Sequence, residues 1–179
     1  MRLIIGGLLA LVAGSAWADG YWEYGSWRVT VQEVDTGEDL RRTCSAVTGG
    51  DGEPSAVISM SNGDAGPPDY FPTVVIREHA VRHHQTVLKD GQPVYIRFDD
   101  EDVMDSVVVG FVDNEGFANA EIAFDHPHSQ WVLRAMRKNG QFDVVVDGKV
   151  FMYVFLDGFT ASYLKMAEEC GFTGAGIID

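Results

Sequence analysis

The stretch Phe142-Asp143-Val144-Val145-Val146-Asp147-Gly148-Lys149-Val150-Phe151-Met152-Tyr153-Val154-Phe155-Leu156 contains two apolar runs around the break Asp147-Gly148-Lys149. Phe142 to Val146 and Val150 to Leu156 are rich in β-branched and aromatic residues, which suit the pleated, half-buried surface of a sheet. Asp147-Gly148 supplies the positive φ angles of a tight turn, so the two runs should pair as an antiparallel hairpin. Working outward, the same grammar recurs. Trp27, Val29 and Val31 alternate with Arg28, Thr30 and Gln32, the period of two of a strand with one buried face. Leu40 to Val47, Ala56 to Met60, Thr73 to Glu78, Thr86 to Leu88, Val94 to Phe98, Val103 to Val112 and Gly116 to Ala123 read as further strands. Asp90-Gly91 and Asn114-Glu115-Gly116 are turn signals between them.

Two helices are expected in the C-terminal third. The first runs from Ser129 to Lys138, with Val132, Leu133 and Met136 on one face and Asn139-Gly140 as the stop. The second follows Leu156-Asp157-Gly158, carries Phe159, Tyr163, Met166 and Cys170 at spacings of three and four, and ends at Gly171. Asn62 to Asp69, with two prolines and two glycines, is a surface loop. The expected fold is mainly β: an antiparallel β-sandwich or partly closed barrel with one or two short helices in the C-terminal third.

The N-terminus carries an address. Arg2, an apolar run from Leu3 to Ala13 and the small residues before Ala18 read as a cleavable signal peptide over residues 1–18. Ala16 and Ala18 place the cut before Asp19. The apolar run is shorter than the roughly 20 residues that span a bilayer, and no cysteine near the cut offers a lipoprotein attachment point. Residues 19–179 then form a single β-rich domain, periplasmic or secreted, with no transmembrane segment after cleavage. Losing Arg2 takes the formal charge from -14 to -15. Such a field repels nucleic acid and anionic membranes, so the expected partner is a neutral or basic envelope or extracellular protein or ligand. Cys44 and Cys170 are the only cysteines, and an oxidising compartment makes the pair a disulfide.

At the start of the mature chain, Gly25-Ser26-Trp27-Arg28-Val29 precedes Cys44 by one strand. At the end, a short helix, Asn139-Gly140, the valine-rich strand Phe142 to Val146 and the strand Val150 to Leu156 lead into Gly158-Phe159-Thr160-Ala161. In both patterns the chain resembles the invasion-associated locus B family of exported bacterial proteins. The chain departs from the family in reading Phe155-Leu156-Asp157 where members usually have Ser-Leu, and in lacking a second cysteine pair. The resemblance implies a β-sandwich envelope protein linked to host-cell invasion, and it carries over no catalytic residue.

Sequence motifs for chemistry are sparse. His79, His83 and His84 share one segment and His126-Pro127-His128 forms another, and neutral imidazoles bind zinc or copper. A metal-binding protein or metal-dependent hydrolase built on His79, His83 and His84 is therefore the alternative, although no fixed zinc-site spacing is present. Asp99-Asp100-Glu101-Asp102 with Asp105 concentrates carboxylates, but the order of an EF-hand fails and a charged hairpin tip accounts for it. No nucleophile elbow, Ser-x-x-Lys or phosphate-cradling loop occurs, so neither catalytic residues nor a cofactor are assigned. Aromatic residues flank the turns: Tyr21, Trp22 and Tyr24 before the first strand, and Tyr70-Phe71 after the proline-rich loop. Trp22, Tyr24, Tyr70 and Phe71 are the candidate partner contacts, and alanine at Trp22 or Tyr70 should then spare the fold. The expectation is an exported, non-enzymatic binding protein.

Overall fold

The structure is a computed structural model that describes residues 18–99 and 103–178. The signal peptide expected at the N-terminus, up to Trp17, and the carboxylates of Asp100, Glu101 and Asp102 lie outside the described residues. Within them the chain forms β1 (Ala18–Tyr24), β2 (Trp27–Asp35), β3 (Leu40–Gly49), β4 (Ser55–Ser61), β5 (Thr73–His79), β6 (Pro93–Phe98), β7 (Val103–Val107), β8 (Val109–Val112), β9 (Ala118–Phe124), α1 (His128–Lys138), β10 (Gln141–Val146), β11 (Lys149–Phe155) and α2 (Phe159–Cys170). Seven strands pair in the order β1-β2-β3-β4-β5-β9-β8 and four in the order β11-β10-β6-β7, every pair antiparallel. The two sheets face each other as an open sandwich and do not close into a barrel among the described residues.

Strand alternation builds the core. On the large sheet the inward side chains line up across strands: Val29, Ala46, Ile58, Val74 and Phe124 form one row, and Ala56, Ile76 and Ile122 extend the next. Val94, Ile96 and Phe98 on β6, Phe142 and Val144 on β10 and Val154 on β11 meet them from the small sheet. Helix α1 covers β5 and β9, helix α2 covers β1, β2 and β3, and both put their apolar faces into the same cluster. One core therefore holds both sheets and both helices, and apolar burial at about 25 cal/mol per Å² is its driving term.

The hairpin Phe142 to Leu156 forms as expected, with φ of 50° at Asp147 and 74° at Gly148 between β10 and β11. Asp113 organises the β8–β9 turn: its carboxylate accepts the N–H groups of Phe117 and Glu115, and the Phe117 bond is the main cause that holds it below the usual carboxylate range.

Three expectations are corrected. Thr86 to Leu88 is no strand. The Glu78 carboxylate accepts the N–H groups of Val87 (2.7 Å) and Leu88 (3.0 Å), so a side chain takes the place of a ladder, and Asp90-Gly91 leads into β6 without joining two strands. Val103 to Val112 is two strands: the chain leaves the small sheet at Val107, buries Val108 and enters the large sheet at Val109. The residues from Ala18 to Tyr24 are a strand, not a loop carrying aromatics, and pair along β2 from Ala18↔Gln32 to Tyr24↔Trp27.

Cys44 on β3 and Cys170 at the end of α2 form a disulfide with Cα atoms 6.0 Å apart across a sequence separation of 126. Closing so long a loop removes conformational freedom from the unfolded chain, about 4–5 kcal/mol in the chain-entropy model. Replacing both cysteines by alanine should lower unfolding stability by about 3–5 kcal/mol, measured as the shift in urea midpoint; reduction of the wild type should reproduce the shift.

Tyr163 on α2 is fully buried between Phe159 and Phe172, and its hydroxyl finds no hydrogen-bond partner among the described residues. Burial holds its proton far above the ordinary value of 10.0. The unfolded chain therefore ionises first, so this group leaves stability independent of pH below about 10 and lowers it as pH rises above that, by up to about 1.4 kcal/mol per pH unit. Tyr163→Phe should stabilise by about 1 kcal/mol at neutral pH and flatten the alkaline decline in urea midpoints.

Candidate functional site

The connection from β4 to β5, residues 62–72, is an outward-facing platform fastened at both ends. At its start Asn62 Oδ1 accepts the Arg42 N–H (2.7 Å), Asn62 Nδ2 donates to the Leu40 carbonyl (3.0 Å), and Asp64 Oδ2 accepts the Ser61 N–H (2.9 Å). At its end Phe71 is wholly buried in the core, and the N–H groups of Asp69 and Tyr70 both donate to the Gly66 carbonyl. Between these anchors Asp64, Ala65, Pro68, Asp69 and Tyr70 stay exposed. Pro67, Pro68 and Pro72 restrict the backbone, so the exposed groups stand on an ordered arch.

Under that arch lies an open depression of about 260 Å³ lined by Ser59, Met60, Asp64, Ala65, Tyr70, Pro72 and Thr73. Ser59 and Thr73 face one another across β4 and β5. Thr73 Oγ1 donates to Asp125 Oδ1 (2.9 Å), which brings a second carboxylate to the rim. His126 follows, its ring stacked on Phe71 with centroids 5.9 Å apart and tilted against Tyr70 at 5.1 Å. The two neighbours Tyr70 and Phe71 thus have opposite fates: Tyr70 is 38% exposed, Phe71 0%. Phe71 is accordingly withdrawn as a partner contact and serves as the plug that seats Tyr70.

No family model, curated protein or solved structure matches this chain. What the site can do rests on its own geometry. Both cysteines are consumed in the disulfide, so neither is available as a thiolate nucleophile or metal ligand.

His79, His83 and His84 are exposed at the end of β5 and in the loop after it, with His83 at a φ of 68°. Among the described residues no three histidine, cysteine, aspartate or glutamate side chains gather into a group that could hold a metal ion. The segment turns after Ala80 and spreads its imidazoles over the surface, while His126 belongs to the aromatic arch and His128 opens α1. Asp99 serves the fold, since its Oδ2 accepts the N–H groups of Gly140 and Gln141, both at 3.2 Å, and ties β6 to the start of β10.

The N-terminal aromatic group is divided between the two faces of β1. Trp22 and Tyr24 lie on β1 and pack partly buried against the core. Lys165 Nζ stands 4.3 Å from the Trp22 ring centroid, and an added Cβ at Gly20 would come within 2.0 Å of that ring. Tyr21, on the opposite face of β1, is the exposed member at 57%. It lines a shallow polar hollow with Glu23, Arg28 and Asp51; the period-two alternation of Tyr21, Trp22, Glu23 and Tyr24 already carries that division. Among the described residues no helix is long and apolar enough to cross a membrane.

Alanine at the two aromatic positions should therefore separate. Trp22→Ala removes core packing and the Lys165 contact and should cost about 1–3 kcal/mol. Tyr70→Ala should change stability by less than about 1 kcal/mol. Urea unfolding of the two variants side by side is the check.

Proposed function

We propose that this protein is an exported, non-enzymatic binding module that engages an envelope or extracellular partner through the arch between β4 and β5. The carrying observation is the depression walled by exposed Tyr70 on a loop whose neighbour, Phe71, is locked in the core. An aromatic side chain held in place beforehand contributes contact area without a large ordering cost on binding, which is how loop anchors gain affinity. The signal-like N-terminus, the disulfide and the resemblance of both chain ends to the invasion-associated locus B family support export and an envelope role.

Purification of the mature protein from its native envelope under non-reducing conditions, followed by mass spectrometry of bound metals and co-purifying species, tests this reading. A reproducible partner in stoichiometric amount that is lost with Tyr70→Ala, while the circular dichroism spectrum is unchanged, is the expected result. A stoichiometric metal that survives dialysis and disappears when His79, His83 and His84 are replaced would overturn it in favour of metal chemistry.

A further inference from the structure

We infer that the depression beneath the β4–β5 arch receives a single arginine or lysine side chain of a protein partner; this rests on the binding reading above and names the chemistry of the contact. Size is the first reason. The depression, about 260 Å³ and open to solvent, has room for one long side chain.

Charge is the second. Asp64 lines the depression, and among the described residues only its Oδ2 is engaged, by the Ser61 N–H. Asp125 stands behind Thr73 and Asp69 lies on the arch itself. Among the described residues no lysine, arginine or histidine lines the depression, and the whole chain carries a formal charge of -14. A cation entering here meets an unopposed carboxylate, and the surrounding field draws it in.

Chemistry of the wall is the third. Tyr70 offers a ring whose π face attracts a guanidinium or ammonium group, and the apolar surfaces of Met60, Ala65 and Pro72 suit the aliphatic stem of such a side chain. The hydroxyls of Ser59 and Thr73 add acceptors for its N–H groups. A carboxylate, an aromatic face and an apolar stem channel together select a long cationic side chain over an anion or a neutral polar group.

The test is titration of isotope-labelled mature protein with the peptide acetyl-Gly-Arg-Gly-amide, its lysine counterpart and its citrulline counterpart, followed by amide chemical shifts. Shifts centred on Asp64, Ala65, Tyr70 and Thr73 are expected with the two cationic peptides and not with the citrulline peptide. Affinity should fall about three- to tenfold with Asp64→Asn, which keeps an acceptor for the Ser61 N–H, and by a similar factor with Tyr70→Ala. It should also weaken as salt is raised. Equal binding of the citrulline peptide, shifts centred elsewhere, or spermidine binding where the peptides do not would overturn the inference. A Tyr70-dependent partner that the arginine peptide fails to displace would also overturn it, while leaving the binding reading intact.

Discussion

Trp27 is the point at which the two sheets and the second helix are tied together. It begins β2 and is 1% exposed; its indole N–H donates to the Phe155 carbonyl at the end of β11 (3.0 Å), and its ring meets Phe159, the first residue of α2, edge-on at 5.8 Å. The backbone beside it repeats the link, with the Ser26 N–H donating to the Asp157 carbonyl (3.1 Å). Gly158 is what lets the chains come so close: its φ is +86°, and a Cβ there would lie 1.8 Å from the Tyr24 carbonyl oxygen. A side chain at that position would have to push the β1–β2 turn away and break the Trp27 bond with it.

With its N-terminus fixed by Trp27 and its C-terminus by the Cys44–Cys170 disulfide, α2 is pinned to the large sheet at both ends. Phe172 and Ile177, just beyond the helix, extend the core toward the β4–β5 connection. An added Cβ at Gly66 would meet Phe172 at 3.2 Å, and one at Gly176 would meet the Phe71 ring at 3.1 Å. The arch is therefore braced by the segment that the disulfide anchors, and a change at Cys170 reaches the candidate site through packed atoms rather than through a flexible tether.

Most of this architecture is legible in the sequence because it depends on short-range signals. The β10–β11 hairpin follows from Asp147-Gly148, and the buried faces of β2, β4 and β5 follow from alternation. Sequence and structure part where a distant group overrides the local pattern. Thr86 to Leu88 has strand composition, but Glu78, an inward-pointing carboxylate at the sheet rim, supplies its hydrogen-bond acceptors. Val103 to Val112 is uniformly strand-like, and no turn residue marks Val108 as the crossing between sheets; Val108 is identified only by its bonds to Gly91 and Gln92. At the candidate site the aromatic pair is visible in the sequence, yet the partition between Tyr70 and Phe71 is not, because which neighbour enters the core depends on α1 and the C-terminal segment closing over Phe71.

That partition explains how a loop with two glycines and three prolines can serve recognition. An exposed tyrosine on a free loop would lose backbone and side-chain freedom whenever it met a partner, at roughly 1–2 kcal/mol per ordered residue. Here the freedom is already spent in folding: Phe71 is driven inward by the hydrophobic effect, the His126 ring packs against both aromatic rings, and the Gly66 carbonyl holds the N–H groups of Asp69 and Tyr70. The outer face beside the arch offers small polar side chains, Ser59 and Thr73 among them, so little competes with Tyr70 for contact. A small site of this kind can hold one side chain selectively only because its walls do not have to be assembled on arrival, and the core that presents Tyr70 is the same core that Trp27 and the disulfide hold together.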